Sequence, residues 1–216
     1  MVSENRTVHC FRNYTFEPER INNGVMKTGK NKNQVSLFEA ISYEYLFVIS
    51  PKEVEADVRM FKEKLHELIG LPSQVLNSIP HISLYHFYSA GDLDTILKKS
   101  LQALSGFRAF KVRLDGIKTF GSEQYDRTMY IDVEKSDELE NLHSALQMTF
   151  LRKGEKFHPH LTIARGIKPD KYALIVPNLP DFEFFGGFDC QQITLLRKRL
   201  GEEMPYERVR IINLEG

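Results

Sequence analysis

Pro80-His81-Ile82-Ser83-Leu84 and Pro159-His160-Leu161-Thr162-Ile163 are one five-residue peptide written twice, with conservative changes at three positions. Histidine, apolar, hydroxyl, apolar is the pattern of a β-strand that alternates faces. On such a strand the histidine and the hydroxyl two residues later point the same way. The aliphatic residues point the other way, into a core. The copies lie 79 residues apart, from 81 to 160, in a chain of 216. That spacing suggests a duplicated half-domain that brings two His/hydroxyl pairs to one cleft.

The short motif is weak taken singly. Histidine occurs seven times, at positions 9, 66, 81, 86, 143, 158 and 160. A bare His-x-Ser/Thr therefore arises about once by chance in such a chain. One histidine at a strand start is more often a hydrogen-bonded structural residue than a catalyst. The matched pair is more specific, because a proline precedes each histidine and both alternate positions are branched aliphatics.

Lys plus Arg and Asp plus Glu both number 29, giving a formal net charge of zero. A field that coats nucleic acid non-specifically is excluded, so contact with RNA or a nucleotide must come from a local patch. Hydrophobic residues make up 42%, enough for one well-filled core or two small lobes sharing one. Cys10 and Cys190 are the only cysteines, too few for a disulfide framework or a Cys-rich zinc site. The opening MVSENRTVHC lacks an apolar leader and no run has the length to cross a bilayer. A cytoplasmic protein away from the membrane is expected, monomeric and without an obligate protein partner.

Residues 1–40 read as an N-terminal arm, partly flexible. Asn22 to Gln34 is rich in Asn, Gly and Lys, with little to bury. Lys27, Lys30 and Lys32 could touch phosphate there, although a solvated linker is the simpler reading. Tyr14 and Phe16 could dock on the body. Residues 41–216 read as one domain containing the duplication.

Within it, Tyr43–Ile49 is aromatic and β-branched and predicts a strand. Pro51 opens a helix to about Ile69, ended by Gly70. The first motif strand runs to about Ser89, and a helix follows from Asp92 to Leu104, capped by Asp92. Phe110–Phe120 predicts a long strand bent near Gly116, and Met129–Val133 another. A helix over 136–151 precedes the second motif strand, Pro159–Ala164. A short helix near 169–175 and strands near 182–188, 190–198 and 207–214 complete the chain. Helices alternate with strands, yet the tail is strand-rich. An α+β fold with mixed or antiparallel sheets and an internal two-fold repeat is therefore expected.

Paired imidazoles suit proton transfer at phosphorus. With an ordinary pKa near ~6.5, two histidines share one proton at neutral pH at little cost. The neutral ring takes a proton from water or a ribose hydroxyl, and the charged ring gives one to the departing oxygen. Ser83 and Thr162 can donate hydrogen bonds to non-bridging oxygens as charge builds. His158-Pro159-His160 offers two candidate metal ligands but no third, so no metal or other cofactor is expected.

The two peptides resemble the His-x-Ser/Thr-x signatures of the 2H phosphoesterase superfamily, especially its 2′-5′ RNA ligase / cyclic phosphodiesterase-like branch. Lys156 to Arg165 is particularly similar to the second signature. The closing Ile193-Thr194-Leu195-Leu196, Pro205-Tyr206 and final strand also resemble that branch, whose likeness covers roughly residues 42–214. The resemblance implies His81 and His160 as the catalytic pair and Ser83 and Thr162 as phosphate binders. It further implies a bilobal fold, two pseudo-symmetric lobes around a central cleft with helices outside. The activity implied is metal-independent cleavage of 2′,3′-cyclic phosphates or 2′-5′ bonds of RNA or nucleotides.

Further substrate contacts are expected from the strand pattern. Tyr85 should share the face of His81 and Ser83 and could stack on a base. Arg165 is an attractive phosphate partner, but strict alternation turns it away from Thr162 unless the strand bends or ends at Ala164. Phe120 and Tyr125 could flank a nucleobase. Lys111, Arg113 and Lys118 form either a basic strip or an ordinary solvated strand face. The competing readings are 2′-5′ end-joining of RNA, which is the reverse reaction, and a non-catalytic module that holds a nucleotide or RNA end.

Overall fold

Eight stretches of β-branched and aromatic residues become strands, and they pair into a single sheet. The structure is a computed structural model and describes residues 42–122, 124–151, 157–202 and 204–216. The expected N-terminal arm, and Lys156 at the head of the second signature, lie outside the described residues. The strands are β1 Tyr43–Ile49, β2 Ile82–Ser89, β3 Phe110–Phe120, β4 Arg127–Val133, β5 His160–Ile167, β6 Phe185–Cys190, β7 Gln192–Arg199 and β8 Glu207–Asn213. Their order is β6-β3-β4-β5-β2-β1-β7-β8. The α+β expectation holds, and every pairing between these strands is antiparallel rather than mixed.

The sheet has two four-stranded halves, and the chain makes one half in two visits. β1 and β2 come first, β3 to β6 build the other half, and the chain returns to lay β7 beside β1 and β8 beyond it. The halves meet where β2 pairs with β5 at one ladder position, Ile82 opposite Leu161. These are the central apolar residues of the two signatures.

The helices are α1 Glu55–Ile69, α2 Ser73–Leu76, α3 Leu93–Leu104, α4 Asp137–Phe150 and α5 Pro169–Ile175. Their ends follow the sequence. Gly70 adopts φ +68° beyond α1, the left-handed turn glycine accepts without a Cβ penalty. Asp92 accepts a hydrogen bond from the Thr95 amide at 2.9 Å, as expected, and Ser136 caps α4 in the same way, accepting from the Leu139 amide at 3.3 Å. Short α2 and a 3-10 segment over Val176–Phe182 lacked a periodic signal long enough to read.

The helices cross over between halves. α1, which precedes β2, packs on β5 and α5, whereas α4, which precedes β5, packs on β2 and α3. Each motif strand is therefore backed by the helix that introduces the other. The core between sheet and helices runs continuously through both halves and includes Phe47, Phe61, Leu65, Ile82, Leu84, Met129, Leu142, Leu161 and Ile163. Phe87 and Phe150 stack at 4.1 Å within it. A second, small cluster of Leu46, Val48, Leu196 and Tyr206 lies on the opposite face of the sheet.

Leu161 is fully buried at the junction of the halves. Leu161→Ala should cost about 2–5 kcal/mol of stability, as large-to-small core changes do. Urea unfolding should then show a lower midpoint with an unchanged slope.

Candidate functional site

The junction decides where the signature side chains go. Antiparallel pairing at Ile82/Leu161, extended by one residue each way, sets His81 beside Thr162 and Ser83 beside His160. Ile82 and Leu161 are in the core, so alternation sends all four polar side chains to the opposite face. There each is only partly buried. Both histidines carry the same tether. His81 Nδ1–H donates to the carbonyl of Ile79 at 3.0 Å, and His160 Nδ1–H donates to the carbonyl of His158 at 2.9 Å. A carbonyl only accepts, so each neutral ring holds its proton on Nδ1 and keeps a lone pair on Nε2.

The two rings differ in surroundings. Desolvation pulls the His81 pKa down to about 4, opposed by the Ile79 carbonyl and assisted by Arg165, Lys62 and His160. His160 is lowered as well, mainly by desolvation and less by Arg165 and the His158 ring, against the opposing pull of the His158 carbonyl and, more weakly, of the Asp132 carboxylate. Lys62 is 1% exposed and donates to the Ser78 carbonyl at 2.5 Å and the Ser78 hydroxyl at 2.6 Å. It thereby anchors the segment that presents the Ile79 carbonyl.

Two bulges, one in each motif strand, meet the condition set for Arg165 and correct the expectation for Tyr85. Between Tyr130/Thr162 and Met129/Ala164 the β4–β5 register slips by one residue, so Ile163 and Ala164 are both buried. Arg165 returns to the face of Thr162, and its Nη2 lies 3.5 Å from Thr162 Oγ1. Gly166 follows with φ +64° and a further slip. β2 slips at the equivalent place, between Phe47/Tyr85 and Val48/Ser83. Tyr85 therefore does not share the face of His81 and Ser83. It is 7% exposed in the core, 6.2 Å from Phe87 and edge-on to His143 at 5.9 Å.

His86 takes the open face in its stead, paired with Leu46. It stands five residues after His81, as Arg165 stands five after His160, so aligning the two signatures was the signal for it. Asp132 and Lys62 had no comparable signal, since each reaches the site from a distant stretch of chain.

Phe120 stacks on Tyr130 at 4.0 Å and meets His160 edge-on at 5.0 Å, making one wall. Tyr125 is 71% exposed in the turn between β3 and β4. The β3 cations face acids: Lys111 with Asp189 at 3.3 Å, Arg113 with Glu134 at 3.7 Å and Lys118 with Asp132 at 2.5 Å. His158 turns its Nε2 toward Asp132 Oδ1 at 3.3 Å. Among the described residues no group of three or more His, Cys, Asp or Glu side chains gathers as a metal-ligand set. Among them, too, no helix is long and apolar enough to cross a membrane.

Two symmetry-related His/hydroxyl pairs on one face are the arrangement the 2H resemblance implies. The sequence pattern of the 2′-5′ RNA ligase superfamily matches residues 50–202. The chain belongs to this superfamily. Like the 2H phosphoesterases among which the superfamily falls, it is an enzyme. An RNA 2′,3′-cyclic phosphodiesterase of Methanothermobacter thermautotrophicus is 27% identical over 134 residues, which is 58% of this chain and 72% of that one. TT0787 of Thermus thermophilus shares the fold at TM-score 0.60 and 20% identity, over 80% of this chain and 98% of its own. LigT of E. coli, solved with 3′-AMP, does so at 0.57 and 16%, again over 80% and 98%.

The depressed His81 pKa makes stability depend on pH in a definite direction. The unfolded chain takes up this proton near 6.5 and the folded protein only near 4, so stability falls as pH drops through that interval. His81→Gln should shrink the loss of thermal stability between about pH 7 and about pH 4.5, read as the difference in Tm from wild type.

Proposed function

We propose that this protein hydrolyses 2′,3′-cyclic phosphates of RNA ends or nucleotides, with His81 and His160 as the acid–base pair. The observation that carries the reading is the matched tether. Two histidines on one sheet face each commit Nδ1–H to a backbone carbonyl and so carry on Nε2 the lone pair that proton transfer requires. Membership of the 2′-5′ RNA ligase superfamily and likeness to a named RNA 2′,3′-cyclic phosphodiesterase support the substrate class.

In the forward reaction His81, held neutral, takes a proton from water as its oxygen attacks phosphorus. The bond to one ribose oxygen breaks, and protonated His160 gives its proton to that oxygen. The product is a phosphomonoester beside a free hydroxyl, and the cycle closes as His81 releases its proton to solvent and His160 takes one up. Ser83, Thr162 and Arg165 donate to the non-bridging oxygens, whose charge is greatest in the transition state. Phe120, beside His160, offers a flat apolar surface to a nucleobase, and Tyr125 is exposed enough to reach one. The reverse, end-joining reaction uses the same groups with the histidine roles exchanged.

His81→Ala and His160→Ala should each lower kcat on 2′,3′-cyclic nucleotides by about 10²–10⁴-fold while leaving the fold intact. A panel of 2′,3′-cyclic nucleotides, 2′-5′ dinucleotides and cyclic-phosphate-ended RNAs, assayed with EDTA, checks this. Unchanged turnover of a cyclic phosphate by both variants would sink the assignment. Tight binding of a 2′-phosphonucleotide with no turnover of any substrate would point to a binding module.

Ser83→Ala and Thr162→Ala should each reduce kcat/KM by roughly 10- to 100-fold, the cost of a hydrogen bond to a charged group. Steady-state kinetics on the best substrate of the panel measures it.

A further inference from the structure

Each signature histidine hangs from a carbonyl two residues back, across a proline, in Ile79-Pro80-His81 and His158-Pro159-His160. Proline fixes its own φ and keeps the residue before it extended. The path from carbonyl to ring therefore loses one torsion outright and most of the freedom of another. A displacement of the residue before the carbonyl is passed on to the ring. That residue is Ser78 in one half and Phe157 in the other, each three positions ahead of its histidine. A helix side chain holds each of them.

In the first half the holder is Lys62 of α1. It is 1% exposed, and its ammonium donates to the Ser78 carbonyl at 2.5 Å and to the Ser78 hydroxyl at 2.6 Å. The hydroxyl donates onward to the Val75 carbonyl at 2.9 Å. Taking an ammonium out of water is costly, and an apolar side chain would fill the same space without that cost. What the ammonium adds is direction, since two charge-assisted hydrogen bonds to one residue fix its place. In the second half the holder is His143 of α4. Its ring lies flat on Phe157, with 4.4 Å between centroids and planes 10° apart, and also meets the Tyr85 ring of β2 edge-on at 5.9 Å. α1 packs on β5 while it holds the approach to β2, and α4 packs on β2 while it holds the approach to β5. Each helix thus spans both signatures.

We propose that Lys62 and His143 are matched positioning residues, one for each half of the repeat, that hold the approaches to His81 and His160 and so set where each ring stands. The two act through the carbonyls that tether the rings. Their chemistry differs, an ammonium clamp in one half and a ring stack in the other, but their place in the repeat is the same. Ser78 and Phe157 share one offset from their histidines, and each is gripped by the long helix ahead of its own strand. The consequence for turnover rests on the acid–base reading of the two histidines, whereas the placement of the rings does not.

The test reads the ring-nitrogen chemical shifts of both histidines by NMR at about pH 8, where both rings are neutral. His81→Gln and His160→Gln assign the signals, and kcat and KM for a 2′,3′-cyclic nucleotide are measured alongside. In the wild type each ring should carry its proton on Nδ1. Lys62→Met should mix the tautomers of His81 and leave His160 unchanged, and His143→Ala should do the converse. Each should lower kcat roughly 10- to 100-fold with KM little changed, as a small misplacement of a reacting group does. His143→Phe keeps the stack and should restore both readouts. Ser78→Ala, which loses only the hydroxyl half of the clamp, should disturb His81 in the same sense but less, and it decides the matter should Lys62→Met fail to fold. Arg59→Ala, which breaks an exposed ion pair with Glu63 on the same helix, should move neither ring. A ring unmoved by the loss of its own holder, or both rings disturbed equally by either loss, would overturn the proposal. A wild type that turns over no cyclic phosphate ends the acid–base reading, and the ring shifts still decide separately whether Lys62 and His143 place the histidines.

Discussion

One antiparallel ladder position, Ile82 against Leu161, joins the halves of the sheet and fixes the placement of every signature side chain. Both residues are fully buried, so the strands cannot slip by one without turning two apolar side chains to the open face and two polar pairs into the core. The constraint is stiff because the side-chain period of a strand is two. Its consequence is that His81, Ser83, His160 and Thr162 emerge together, each histidine beside the hydroxyl of the other strand. The helices reinforce it, since α1 backs β5 and α4 backs β2. Neither half can close its core without the other.

On that frame the bulges set the reach of the site. A regular β5 would turn Arg165 away from Thr162, and a regular β2 would bring Tyr85 out of the core. One extra residue in each strand reverses both outcomes, burying Ile163 with Ala164 and Leu84 with Tyr85. A bulge costs a ladder hydrogen bond and adds local twist, so its occurrence in both halves ties it to the repeat rather than to chance irregularity. The guanidinium it returns to the open face bears on both imidazoles.

Burial then shapes the proton chemistry. Taking an imidazole out of water disfavours its charged form, so both rings are weaker bases than free histidine. His81, with Arg165 and Lys62 as neighbouring charges, is neutral near pH 7. His160 is shifted the same way, again chiefly by desolvation, on a less deeply buried ring. The site repeats in geometry but differs in charge.

The sequence alone determined the elements, the duplication and the signature residues, because these are local properties. Apolar periodicity marked α1, α3 and α4, β-branched runs marked the strands, and a five-residue peptide written twice marked β2 and β5. Side-chain direction held from the signature as far as Ser83 and Thr162, then failed at Tyr85. Alternation is a local rule, whereas a bulge is set by how a strand fits its neighbour. Asp132 and Lys62 were illegible for a related reason, since their meaning lies in cross-strand register and in where α1 meets the segment before β2. Tertiary structure alone decided which residues surround each imidazole, because the electrostatics of a desolvated ring depend on groups that the fold, not the chain order, brings close.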